Sequence, residues 1–139
     1  MAIGITADAF LGKTDMVGKP YFTHCYHVMT TCGSTDEDVL CAAIMHDLIE
    51  DCEEWTLDRL WGRGFSAKTI TIVDLMTHRP EDDYMTYIRK IATNKDATAV
   101  KLADLRHNSD ITRMKGVTAK DMARLEKYNI AYKYLSQLP

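Results

Sequence analysis

Nowhere in the 139 residues does an apolar run exceed the seven of VLCAAIM, Val39 to Met45. A helix that crosses a membrane needs about 20 such residues, so no membrane span is expected. A basic surplus is missing too: 17 Lys and Arg stand against 20 Asp and Glu, for a net charge of -3. Binders of duplex nucleic acid and of anionic membranes usually carry a basic stripe or surplus. Neither partner is expected, and any anionic ligand has to be met by local charges. The first twenty residues lack a basic start and an apolar core, with Asp8 and Asp15 interrupting their hydrophobicity. No signal peptide is read there, and the expected compartment is the cytoplasm. The four cysteines, Cys25, Cys32, Cys41 and Cys52, form no CxxC pair, so reduced and mostly buried thiols are expected in place of a zinc or redox site.

Repeats, low-complexity tracts, linkers and a convincing alternating strand are also absent. With 46% apolar and 27% charged residues, the chain is expected to fold as one compact domain over residues 1–139. Helix signals run through most of it. Pro20 suits a first helical turn ahead of YFTHCYHVMTTC, and Gly33 with Ser34 reads as a stop and a cap for one helix through TDEDVLCAAIMHDLIED. Thr56 and Ser66 are candidate caps for LDRLW and AKTITIVDLMTH, the latter ended by Pro80. Further helices are expected around DYMTYIRKIAT, from about Asp96 to Met114, and from Thr118 to Leu138. The fold class is all-α, with seven or so helices; no oligomeric state is read from it.

In AAIMHDLIEDC, four chemically capable side chains, His46, Asp47, Glu50 and Asp51, follow the greasy run directly. On one continuous helix, at about 100° per residue, His46 stacks on Glu50 and Asp47 on Asp51, and all four fall within roughly 140° of one face. A solvated acidic helix end is the competing reading, although three acids in a last turn oppose the helix dipole and ask for a cation. GKPYFTH adds His24 and VKLADLRHN adds Asp104. Two neutral imidazoles and two carboxylates, His24, His46, Asp47 and Asp104, would neutralise a divalent metal and leave positions for water and phosphate. Such an open set is catalytic in character, and ligands spread over three helices suit a bundle core that opens at one end.

The order of His24, the His46–Asp47 doublet and Asp104 resembles the HD-domain metal-dependent phosphohydrolases. More narrowly, PYFTH, HDLIED and KLADLRHN are similar to the hydrolase domain of the RelA/SpoT alarmone enzymes and their small stand-alone relatives, over about residues 5 to 115. The resemblance implies a compact HD-domain helical bundle. It implies His24, His46, Asp47 and Asp104 as ligands to a divalent metal, typically manganese, and Glu50 and Asp51 as the acidic pair that positions or deprotonates the attacking water. It places Asn108 beside a nucleotide. The implied reaction removes the 3′-pyrophosphate of a (p)ppGpp-like nucleotide, a small-molecule substrate. No synthetase segment follows, so hydrolysis is the expected activity.

Glu50 is the preferred base, because on a continuous helix it stacks over His46. Asp51 is the alternative, as a water-holding or imidazole-orienting group. Lys13, Lys101 and Arg106 are the candidate substrate-binding cations, with Lys19 and Arg113 as further phosphate partners. Asp15 and Met16 fall where relatives carry an arginine and a lysine that hold the base and phosphates. This substitution predicts a loosely held base and an acid that repels a polyphosphate, and it favours the alternative of another nucleotide or small phosphorylated metabolite. A non-catalytic nucleotide-binding role is the remaining alternative, and the intact ligands with Glu50 and Asp51 argue against it. His27 is read as an accessory or surface histidine, and His107 as either facing the pocket or packing.

Overall fold

The computed structural model describes all 139 residues, in nine α-helices and one short 3₁₀ turn. The helices are α1 (Ala2–Ala9), α2 (Phe22–Thr31), α3 (Glu37–Ile44), α4 (Leu48–Asp51) and α5 (Leu57–Gly62). They continue with α6 (Ala67–Met76), α7 (Tyr84–Ala92), α8 (Lys95–Asn108) and α9 (Ala119–Ser136), with the 3₁₀ turn at Ile111–Arg113 between the last two. The β-branched TITIV lies inside α6, and the single strand-like pairing is one bridge between Thr14 and Pro20. No helix is long and apolar enough to cross a membrane.

Two helices organise the core. Val39, Ala42, Ala43 and Ile44 of α3 are fully buried, and the paired alanines let α1, α2, α6 and α8 close around that helix. On α8, Ala97, Val100, Ala103 and Leu105 face inward against α2, α6, α7 and α9. Ile44, Leu48, Ile72, Ile88, Ile91 and Leu105 are all 0–1% exposed, and each such side chain stabilises the fold by about 1.5–3 kcal/mol. Cys25, Cys32 and Cys52 are buried and Cys41 half-buried, all four as free thiols.

The caps at Thr56 and Ser66 form as their sequence suggests, each side chain accepting the backbone N–H three residues on, from Arg59 and Thr69. Thr118 begins α9 in a reciprocal capping box with Asp121. Other boundaries differ from the sequence reading. Asp36, not Ser34, caps α3 by accepting the Asp38 N–H. Pro20 lies just outside the Tyr21 cap of α2, and α6 ends at Met76, ahead of Pro80. The region expected to be helical to Met114 stops at Asn108, because the Asp110 carboxylate accepts the Thr112 N–H and starts the 3₁₀ turn. The unanticipated α1 buries Ala2, Ile5 and Thr6, one face at helical spacing.

The largest correction falls at the centre. TDEDVLCAAIMHDLIED is not one helix: α3 ends at Ile44, Met45 to Asp47 form a turn, and α4 begins at Leu48. In a continuous helix the Ala43 carbonyl would accept the Asp47 N–H. Here it accepts the Nδ1–H of His46 at 2.7 Å. The imidazole thereby diverts the bond that would have carried the helix onward, and both His46 and Asp47 are released toward the interior.

Candidate metal centre and adjoining cleft

His24 stands on α2, His46 and Asp47 on the turn between α3 and α4, and Asp104 on α8. All four ligand atoms lie within 4.8 Å of one another. His24 Nε2 is 3.0 Å from Asp104 Oδ1 and 3.7 Å from Asp47 Oδ2. His46 Nε2 is 3.0 Å from Asp47 Oδ2 and 3.3 Å from Asp104 Oδ1. The His46 Nδ1–H is spent on the Ala43 carbonyl, so the ring turns its buried Nε2 toward the Asp47 and Asp104 carboxylates. A neutral imidazole would set its Nε2 lone pair against two carboxylates, so the position calls for a proton or a metal cation between them. A cation there would satisfy it, so this donor set fits a divalent ion.

The surrounding residues hold the carboxylates in place. Tyr21 donates its hydroxyl to Asp47 Oδ2 at 2.6 Å, and Asn108 donates to Asp104 Oδ1 at 2.9 Å. Lys101, buried on α8, donates to Asp104 Oδ2 at 2.8 Å and lies 5.0 Å over the Tyr87 ring. Burial alone would push the Asp104 carboxyl upward, but the Lys101 ammonium and the two imidazoles outweigh it and hold its pKa well below the usual range. Burial likewise disfavours a charged His46, yet Asp47 and Asp104 raise its pKa well above an ordinary imidazole. The pocket therefore attracts positive charge.

Glu50 and Asp51 are exposed on α4, directly after the turn that carries His46 and Asp47. Because the helix is broken, Glu50 does not stack over His46 one regular turn on. Its Oε1 accepts the His78 N–H at 2.8 Å. Asp51 has its pKa pushed up to about 6 by partial burial and by the neighbouring Asp47 and Glu50 carboxylates.

From His24 and Asn108 a cleft of about 450 Å³ opens between the Thr14–Tyr21 segment, the loop after α8, and α9. Its walls include Asp15, Arg113, Arg124 and Tyr128, and its size is that of a small-ligand site. Asp15 does not project into it as a free acid. Its Oδ1 accepts the N–H groups of Val17 and Lys19, and its Oδ2 faces Arg113 Nη2 at 3.4 Å. Arg124 is paired with Asp121, its other amino group 3.0 Å from the Met16 sulfur.

Of the candidate cations, Arg113 reaches the cleft, while Lys101 spends its charge on Asp104. Lys13 donates to the Asp51 carbonyl at 3.0 Å, behind the acidic pair. Arg106 lies on the outer side of α8, where it donates to the Thr31 carbonyl, and it does not line the cleft. Lys19 is exposed on the turn before α2. Two residues that touch the ligands were not assigned roles from the sequence: Tyr21, inside the PYFTH block itself, and His107, whose Nδ1 is 2.7 Å from His24 Nδ1.

A family profile described as the HD domain matches residues 2–108. The chain belongs to the HD-domain family of metal-dependent phosphohydrolases. Among solved structures it is similar to a metazoan orthologue of SpoT, described as hydrolysing ppGpp and acting in starvation responses. The TM-score is 0.77 at 21% identity, over 99% of this chain and 84% of that one. At that identity the likeness concerns the fold. No curated protein sequence matches the chain.

Proposed function

We propose that the 139 residues form a single-domain, cytoplasmic phosphohydrolase that uses one divalent ion, manganese by preference, to remove the 3′-pyrophosphate of a (p)ppGpp-like nucleotide. The observation that carries this reading is the convergence of the buried His24, His46 and Asp104 with Asp47, all four ligand atoms within 4.8 Å, beside a cleft of about 450 Å³ that His24 itself lines. His24, His46, Asp47 and Asp104 would hold the ion, which when bound supplies charge for phosphate oxygens and acidifies water. Tyr21, Lys101 and Asn108 fix the two carboxylates. Asp51, whose carboxylate makes no hydrogen bond within the protein, takes the proton of the attacking water. Glu50, anchored on the His78 N–H, shares the negative field that keeps Asp51 basic. Asn108 and Arg113 meet the nucleotide.

A second reading, hydrolysis of another nucleotide or small phosphorylated metabolite, is favoured by the charge of the cleft. Arg113, Lys115 and Arg124 are balanced there by Asp15, Asp110 and Asp121, and a substrate with two pyrophosphate groups would be better served by a cationic surplus. Release of phosphate and of pyrophosphate is measured with manganese over a panel of guanosine and adenosine 3′-pyrophosphates, nucleoside triphosphates and 3′-phosphates. The first reading predicts pyrophosphate from the 3′-pyrophosphates at the highest kcat/KM. Turnover confined to the nucleoside triphosphates or 3′-phosphates moves the assignment to the second, and no turnover of any compound contradicts the first.

A further inference from the structure

We propose that His107 is the positioning residue that sets the tautomer and ring plane of His24, so that metal affinity depends on a side chain that does not touch the ion. This rests on reading the four converging donors as a metal site.

The Nδ1 atoms of His24 and His107 are 2.7 Å apart, the ring planes differ by 10°, and the centroids are 5.0 Å apart. Rings stacked face to face at that centroid separation would not bring two edge nitrogens so close. The two imidazoles meet edge to edge in nearly one plane, nitrogen to nitrogen, which is the geometry of a straight N–H···N bond. One proton lies between them, and its owner decides what His24 can do. If His24 carries it, His24 Nε2 presents a free lone pair to the centre. If His107 carries it, a neutral His24 has its proton on Nε2, pointed at Asp104 Oδ1 3.0 Å away, and cannot ligate. Ligation therefore requires His107 to accept.

His107 is placed to do this. Its face lies on His27, with centroids 3.9 Å apart and planes 18° from parallel, which fixes the ring. Its backbone is pinned by Arg113, whose Nη1 donates to the His107 carbonyl at 2.7 Å. The two metal-facing histidines thus use different acceptors. His46 uses a carbonyl, which can only accept. His24 uses an imidazole nitrogen, which accepts in one tautomer and donates in the other, so the His24 arm is conditional on its neighbour.

The test compares His107→Phe, which keeps a ring against His27 and removes the acceptor, with His107→Asn, which offers an amide oxygen near the Nδ1 position. The manganese Kd is read from the electron paramagnetic resonance of the free ion, and metal-free thermal unfolding is followed in parallel. The Phe variant should bind about 10- to 100-fold more weakly and the Asn variant within about threefold of the original, as expected when an orienting partner of a ligand histidine is lost or replaced in kind. Phe binding as tightly as the original, or Asn as weakly as Phe, overturns the proposal. An original protein that binds no manganese overturns the metal reading beneath it, a different result from an original that binds while Phe is unaffected.

If the Phe variant does not fold, the zinc-loaded original protein with ¹⁵N-labelled histidines gives a second readout. A proton on His24 Nδ1 with a coupling across to His107 Nδ1 supports the assignment. A proton there without that coupling contradicts it.

Discussion

Lys101→Met separates a structural role for Lys101 from the phosphate-binding role its sequence suggests. Lys101 Nζ lies 2.8 Å from Asp104 Oδ2, with the two side chains only 9% and 6% exposed. Methionine keeps the length of the side chain and removes the charge, which leaves Asp104 as a buried carboxylate short of one cation. Removing one partner of such a pair costs about 3–5 kcal/mol, and the two imidazoles beside Asp104 place this case near about 3 kcal/mol. For a domain of this size that corresponds to a fall in Tm of about 10–15 °C in chelator. A dication at the four-donor site returns positive charge to the same carboxylate, so manganese should raise the Tm of the variant more than that of the original protein. The assay is thermal unfolding of both proteins in EDTA and in saturating manganese. An unchanged Tm in EDTA together with a raised KM would contradict the structural role and restore Lys101 to the substrate. Equal manganese shifts in the two proteins would show that the ion does not act at Asp104.

Asp51→Asn should lower kcat by roughly 10²-fold or more while manganese remains bound, and Glu50→Gln should lower it less; the reverse order in steady-state kinetics would return the base role to Glu50. Carbon-detected NMR of the metal-free protein should show Asp51 protonated below and ionised above about pH 6, so the base form is gained as pH rises through that value; titration near the usual carboxylate pKa of about 4 would contradict the raised value. Changing Asp15 to Arg, which matches relatives on paper, removes the acceptor of two backbone N–H groups and the partner of Arg113. It should lower stability by about 1–3 kcal/mol in urea unfolding and leave guanosine tetraphosphate turnover no better, whereas a gain in turnover at unchanged stability would show that the turn does not need Asp15.

Much of this molecule is legible in its residues. The helical class, the caps at Thr56 and Ser66 and the start of the last helix near Thr118 depend on local chemistry, which short stretches carry. His24, His46, Asp47 and Asp104 are legible as a donor set from their types, and their order carries the family resemblance that implies they meet, as the fold shows they do. What escaped is non-local or competitive. The break after Ile44 depends on one imidazole taking a carbonyl that the next turn of helix would have used, and helical periodicity on both sides hides it. α8 ends early because Asp110 offers an acceptor, although the residues around it read as helical. Asp15 looks like a repelling acid until the fold brings Arg113 to it from 98 residues away. His107 could face the pocket or pack on sequence grounds alone, and only the placement of α2 against α8 sets it nitrogen to nitrogen with His24. Lys101 is visible as a cation, but its burial against Asp104 is a property of packing.

The proposed chemistry depends on a single divalent ion held by two imidazoles and two carboxylates. Its most direct test is equilibrium manganese binding to the folded original protein and to His46→Ala, with metal content confirmed by elemental analysis. About one ion per chain is expected in the original protein and strongly reduced occupancy in the variant. A folded original protein that takes up no manganese, or a variant that binds as well as the original, would contradict it.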